Sequence, residues 1–167
     1  STAVLTEPAA AASPERVLDR FDDIAPWAAI GSDDVQASVH QAQSAHGGAL
    51  GLDFDFAGTA GYAIARRPLP LVLPENYEVT FSLRADAAVN TLQLKLVDAS
   101  GDNVWWFNRP NIALSRDWQL VRVKKRHIHF AWGPTSDRTL RQAAALQFVM
   151  AAGRGGGRRS GYGRELR

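Results

Sequence analysis

Three consecutive aromatic residues, Trp105, Trp106 and Phe107, are the part of the sequence best suited to binding chemistry. Successive side chains of a β-strand point to opposite faces, so Trp105 and Phe107 share one face and Trp106 lies on the other. One tryptophan must therefore face away from the core unless both faces of the strand are covered. An exposed indole ring offers a flat apolar surface of the kind that stacks on the C–H face of a sugar ring.

Polar side chains accompany this ring if the preceding strand faces inward through its leucines. Leu92, Leu94 and Leu96 alternate with polar residues, which places the leucines in the core and the polar residues outside. Charged and amide side chains hydrogen-bond sugar hydroxyls, so the pattern favours a glycan-binding sheet face centred on Trp106. The candidate binding residues, with Trp105 as the alternative exposed ring, are Trp106, Gln93, Lys95, Asn108, Arg109, Arg122, Lys124 and His129.

The acidic residues do not indicate an enzyme. Glycoside hydrolysis needs two carboxylates held at a fixed separation in a cleft. The acidic residues here form short clusters, such as Asp22-Asp23 and Asp33-Asp34, which are typical of turns and solvated faces. The sequence has no Gly-x-Ser-x-Gly elbow, no His-Glu-x-x-His motif and no phosphate-binding loop. We therefore predict a protein without catalytic residues.

Two histidines, His127 and His129, have a spacing that places both imidazoles on one face of a strand and can hold a metal ion. No third or fourth ligand accompanies them, and they follow the basic run 124–126. We interpret them as a polar pair that faces ligand or solvent.

Composition bounds the remaining function classes. The chain has 167 residues, of which 46% are hydrophobic, and no cysteine, so it forms about one domain without disulfides, zinc–thiolate sites or thiol catalysis. No apolar run approaches the roughly 18 residues of a membrane span. Residues 1–100 carry six basic and 13 acidic side chains, whereas residues 101–167 carry 13 and four. This asymmetry indicates either an anionic partner for the second half or oppositely charged strands that pair.

The hydrophobic pattern predicts an all-β fold. Apolar residues alternate with a period of two in several stretches, and turn signals separate them every 10–15 residues. The only predicted helix is 136–143, with Ser136 or Asp137 as its N-cap. Parallel sheets need long crossovers that this chain lacks, so we predict an antiparallel β-sandwich or jelly roll. The strands are expected at 17–22, 35–41, 50–56, 62–66, 77–83, 92–97, 104–108, 118–124, 128–132 and 146–151.

The two ends of the chain differ from this body. Residues 1–16 are predicted to be a flexible linker, 17–153 the sandwich, and 154–167 a Gly/Arg-rich tail or irregular last strand. Segment 153–167 has the composition of some nucleic-acid-binding segments, but a tail that buries little is favoured, with no nucleic-acid partner. The alanine-rich beginning favours an extracellular or periplasmic location.

Several segments resemble bacterial carbohydrate-binding domains of the galactose-binding-like superfamily. The similarity lies in 94–108 and 118–133, with weaker matches at 17–23 and 144–153, and it covers about residues 17–153. The module resembled is the one in secreted proteins labelled coagulation factor five/eight type or glycoside-hydrolase-associated. The resemblance implies a galactose-binding-domain-like fold and a non-catalytic module that docks a secreted enzyme or surface protein on a polysaccharide. The alternative is a structural or protein-interaction sandwich, because one fold hosts many functions.

The resemblance also implies a structural calcium ion near the first strand. Asp19, Asp22 and Asp23 are its candidate ligands, since Ca²⁺ takes 6–8 oxygen ligands in which carboxylates are prominent. The family's last strand is missing its usual pattern here, and only Glu165-Leu166 matches the expected ending.

Overall fold

The computed structural model describes residues 3–6, 15–44, 47–57, 60–85 and 90–152. These residues form β-strands connected by turns and one short 3-10 helix, Lys125–His127. None of them belongs to a helix long and apolar enough to cross a membrane. The strands are β1 Ala3–Thr6, β2 Glu15–Asp19, β3 Ala28–Gly31, β4 Gln36–Ser44, β5 Gly47–Asp55, β6 Tyr62–Val72, β7 Glu78–Leu83, β8 Asn90–Val97, β9 Val104–Ile112, β10 Gln119–Lys124, β11 His129–Trp132 and β12 Gln142–Ala152.

The strands form antiparallel sheets, which confirms the predicted fold class. A four-stranded sheet has the order β10-β7-β1-β2, and a six-stranded sheet has the order β11-β9-β8-β12-β6-β3. Strands β4 and β5 form a separate antiparallel pair. Every pairing in these sheets is antiparallel. Antiparallel sheets of this kind pack one face against the core and turn the other face outward.

The core lies between the four- and six-stranded sheets. Phe81 of β7 packs edge-on against Phe148 of β12, with ring centroids 5.0 Å apart. Leu92, Leu94 and Leu96 of β8 are buried in the same cluster, as their alternation predicted. Because successive side chains point to opposite faces, the residues between the buried ones lie on the outer face of the six-stranded sheet.

Two local predictions are wrong. Ala3–Thr6 lies inside the predicted linker but forms β1, because its main chain pairs with β2 on one side and β7 on the other. Residues 136–143 do not form a helix; a loop leads to β12, which begins at Gln142. Antiparallel pairing with β6 and β8 outweighs the weak helical preference of this short segment. The predicted tail, 154–167, lies outside the described residues.

Tyr77, which precedes β7, gives the core a measurable pH dependence. Burial raises the pKa of its hydroxyl to about 12. Because the unfolded-state pKa is about 10, the unfolded chain loses this proton first as pH rises. The contribution of this buried, protonated hydroxyl to the free energy of unfolding is therefore complete below pH ~10. It is lost between pH ~10 and ~12, and the loss is about 3 kcal/mol at most. Urea unfolding at pH 9 and pH 11 should show a smaller loss for Tyr77→Phe than for the parent. Equal losses in the two proteins would contradict this assignment.

Candidate functional site

The pairing of β8 with β9 brings the predicted polar residues to the same face as Trp106. Lys95 lies directly opposite Trp106, and Gln93 lies directly opposite Asn108. Directly opposed residues of an antiparallel pair project from the same face of the sheet. The Gln93 amide Nε2 donates a hydrogen bond to Asn108 Oδ1 at 3.2 Å. These four side chains lie on the outer face of the six-stranded sheet, opposite the buried leucines of β8.

Trp105 lies on the other side of β9. It is 5% exposed, and its indole Nε1 donates a hydrogen bond to the Arg138 carbonyl at 2.8 Å. Its ring meets Phe130 edge-on, with centroids 5.5 Å apart. Of the two adjacent tryptophans, Trp106 is therefore the one on the outer face, and Trp105 is not brought to the other candidate residues.

A second tryptophan reaches this face because β11 is irregular. His129 pairs with Trp106 and Phe130 with Trp105, but Trp132 pairs with Val104 after a register shift. Simple alternation predicts Phe130 and Trp132 on one face, whereas the extra residue in the strand turns Trp132 outward. Trp132 is 46% exposed, and its ring stands at 87° to that of Trp106, with centroids 5.4 Å apart.

The Lys95 ammonium lies among three aromatic rings. Its Nζ is 4.8 Å from the ring centroid of Trp132, 5.8 Å from that of Trp106 and 6.0 Å from that of Tyr62. These are cation–π distances. Burial lowers the pKa of the ammonium, because removing water disfavours its charged form. We call this outer face the platform; its residues are Tyr62, Gln93, Lys95, Trp106, Asn108, His129 and Trp132.

Tyr62 and Trp132 are platform residues that the sequence did not predict. Tyr62 is the first residue of β6, which is separated from β8 by β12. No local pattern relates residue 62 to residue 95. For Trp132, the sequence offers the glycine that follows it, and in the structure Gly133 has a φ of +139°.

The remaining predicted binding residues are spread over both sheets. Arg109 is exposed beyond Asn108 on β9. Arg122 lies on β10 in the four-stranded sheet, where its guanidinium is 3.3 Å from Glu78 Oε1, so the structure does not bring it to the platform. Lys124 ends β10, and it lines a depression shared with His129 at the edge of the platform.

The two histidines do not share a strand face. His127 belongs to the 3-10 helix, and its Nδ1 accepts a hydrogen bond from the Lys124 amide at 3.3 Å. His129 begins β11 beside Trp106. The chain crosses from one sheet to the other in this turn, which interrupts the predicted strand. In the described part of the chain, no group of three or more His, Asp and Glu side chains can hold a metal ion.

The surroundings of Asp19 do not fit a calcium ligand. Its Oδ2 accepts hydrogen bonds from the Trp27 indole at 2.8 Å and from Arg67 Nη1 at 2.5 Å. Its Oδ1 accepts one from the Phe21 amide at 2.7 Å. The carboxylate is already occupied by donors, one of them a cation. Calcium at Asp22 and Asp23, which are exposed, stays a prediction.

Solved structures of other proteins have the same architecture. One similar structure is the family 11 carbohydrate-binding module of a cellulosomal cellulase of Clostridium thermocellum, with 15% identity, a TM-score of 0.68 and coverage of 92% of this chain and 91% of that one. The two chains share a β-sandwich fold. A family 11 module from Clostridium thermocellum in complex with a β-1,3-1,4-mixed-linked tetrasaccharide gives 14% identity, a TM-score of 0.67 and coverage of 99% and 94%. No family model matches the sequence, and no curated protein matches it significantly.

Proposed function

We propose that the chain is a non-catalytic carbohydrate-binding module whose platform holds a polysaccharide. The observation that carries this proposal is the set of three aromatic rings, Tyr62, Trp106 and Trp132, on one face of one sheet. Tyr62 and Trp132 are 42% and 46% exposed. Large exposed aromatic rings side by side are unusual on a surface without a partner.

The platform combines the two requirements for binding a sugar. Its rings supply flat apolar surface for the C–H faces of the sugar, and their positions on β-strands hold them in place before binding, which limits the entropy lost. The amide groups of Gln93 and Asn108 lie beside the rings and can hydrogen-bond hydroxyls. The structural similarity to family 11 modules supports this assignment, since one of those modules is known in complex with a tetrasaccharide.

The module would anchor a larger chain to its polysaccharide rather than act on it. That role suits an extracellular or periplasmic location, where cell-wall and matrix polysaccharides lie. A structural or protein-interaction sandwich is the second candidate. Strand β3 is the edge of the six-stranded sheet on the side away from the tryptophans, and its Ile30 is 42% exposed, which suits a protein partner.

Retardation in polysaccharide gels tests the proposal. The purified chain is run against β-glucans, xylans, mannans, galactans and pectins, with and without EDTA, and any retardation is followed by calorimetry. We expect retardation by one polymer class, lost in Trp132→Ala and kept in Trp118→Ala, whose exposed ring lies beside Arg84 rather than on the platform. Absence of retardation throughout would favour the protein-interaction role. Loss of binding in EDTA would support the calcium prediction.

A further inference from the structure

The six-stranded sheet has an unusual charge composition. Within the bounds given above, its six strands contain no aspartate and no glutamate. They contain the cationic residues Arg66, Arg67, Lys95 and Arg109. Arg67 is neutralised by Asp19, which reaches it from β2. Arg66 lies opposite Gln147, which in turn lies opposite Lys95, so both cations belong to the outer face. The platform therefore lies on a sheet face whose charged side chains are all cationic.

The acidic residues closest along the chain do not change this balance. Asp98 and Asp102 lie in the turn between β8 and β9. The Asp98 carboxylate accepts hydrogen bonds from Ser100 Oγ and from the Asn103 side chain, at 2.6 and 2.7 Å. The Asp98 carboxylate therefore accepts its hydrogen bonds from residues of its own turn and not from Lys95.

The N–H groups of the Lys95 ammonium are available to donate hydrogen bonds to a ligand. Among the described residues, no carboxylate lies within salt-bridge distance of Lys95, and no oxygen accepts a hydrogen bond from its Nζ. The aromatic rings stabilise its charge but do not satisfy its three N–H groups. A partly buried cation in this position is most strongly stabilised by a ligand oxygen that carries negative charge.

The polar groups around Lys95 favour a ligand group that only accepts hydrogen bonds over a hydroxyl, which also donates one. Lys95 and Arg66 only donate hydrogen bonds, and the side-chain acceptors of Gln93 and Asn108 are neutral amide oxygens, of which Asn108 Oδ1 already accepts one bond from Gln93. A neutral sugar hydroxyl is satisfied when it both donates and accepts, and carboxylates, the strongest side-chain acceptors, are missing from these strands. A sugar carboxylate only accepts, which matches the donors present.

Further cations continue the platform beyond His129. The depression that His129 borders is about 660 Å³ in volume and is also lined by Lys124, Lys125 and Arg126. Glu78 lines it too, but Arg122 pairs with that carboxylate. Lys125 Nζ donates to the Glu75 carbonyl. A linear polyanion that passes Lys95 and His129 would meet Lys124 and Arg126 next.

We propose that the ligand of the platform is a polyuronate, with a sugar ring stacked on the aromatic rings and its carboxylate bound to Lys95. This inference rests on the proposed function and names the class of polysaccharide. Lys95 Nζ lies within 6.0 Å of all three ring centroids, so the anion must lie within about one sugar ring of the aromatic surface. A uronate carboxylate is bonded directly to the ring carbon, whereas a sulfate ester carries its charge farther out.

Matched polymers provide the test. Polygalacturonate and alginate are compared with their methyl esters, which keep the backbone and remove the charge, and with a sulfated galactan. All binding is measured by calorimetry on the full chain in EDTA, so that calcium does not gel the polyuronates. We expect one polyuronate to bind at least tenfold more tightly than its ester. Lys95→Met, which keeps the apolar stem of the side chain, should weaken that binding about tenfold and change the affinity for the ester much less, by about twofold at most.

A charge-matched control separates the platform from general attraction by a basic chain, whose isoelectric point is about 9.3. Arg16→Gln removes one positive charge from β2 in the four-stranded sheet and should leave affinity within about twofold. Equal losses in Lys95→Met and Arg16→Gln would overturn the inference. Equal affinity for acid and ester would also overturn it while the proposed function stands, and tighter binding of the sulfated galactan would refute a uronate ligand. Failure of every polymer, neutral ones included and repeated without EDTA, would refute the proposed function itself.

Discussion

Replacing Trp106 with alanine should raise the dissociation constant for the bound glycan about thirtyfold and leave the chain folded. The indole is half-buried, packs edge-on against Trp132 and lies opposite Lys95. Its removal takes away stacking surface and leaves Lys95 with a weaker aromatic surrounding. Truncation of a central tryptophan in a binding surface costs about 2 kcal/mol, which corresponds to that factor. Calorimetry gives the affinity, and thermal unfolding shows whether the fold is kept.

Its neighbour provides the matched control. Trp105→Ala removes a buried ring that contacts Phe130 and the Arg138 carbonyl. We expect a loss of about 3–5 kcal/mol in the free energy of unfolding. Trp106→Ala should cost about 1 kcal/mol or less, because its side chain lies at the surface. Unfolding of Trp106→Ala would make this ring a core residue, and unchanged affinity would remove it from the binding site.

Replacing Asp19 with alanine should lower the free energy of unfolding by about 4 kcal/mol. The carboxylate is 8% exposed and accepts hydrogen bonds from Arg67, Trp27 and the Phe21 amide. Without it, the guanidinium of Arg67, whose Nε has no hydrogen-bond partner among the described residues, becomes a largely buried charge without a counterion. Breaking a buried pair from one side costs about 3–5 kcal/mol, or roughly 10 °C in Tm for a chain of this size.

Two controls distinguish this network from a calcium site. Asp23→Ala removes an exposed carboxylate whose one hydrogen bond among the described residues comes from the Ala25 amide, and it should cost less than about 1 kcal/mol. EDTA should leave the difference in Tm between the parent chain and Asp19→Ala unchanged if Asp19 acts through Arg67 and Trp27. A fall in Tm with EDTA that occurs in the parent chain and is lost in Asp19→Ala would instead make Asp19 a calcium ligand.

Local patterns predicted much of this architecture because a strand imposes its period on the residues within it. The alternation of Leu92, Leu94 and Leu96 was sufficient to place Gln93 and Lys95 on the outer face. The hydrophobic pattern of the chain, which leaves no segment for helical crossovers, was sufficient to predict an antiparallel sandwich. The same period required one tryptophan of the pair 105–106 to leave the core.

Which residues meet on one face depended on pairings between distant parts of the chain. The register of β8 with β9 selected Trp106 over Trp105, and an extra residue in β11 turned Trp132 to the same side. Arg122 alternates as predicted but belongs to the other sheet. Asp19 meets Arg67 across 48 positions of sequence.

Such contacts arise from the packing of whole sheets, whereas the period of a strand comes from its own backbone geometry. The sequence therefore indicates which side chains leave the core. The assembled sheets determine that Tyr62, Trp106 and Trp132 surround Lys95.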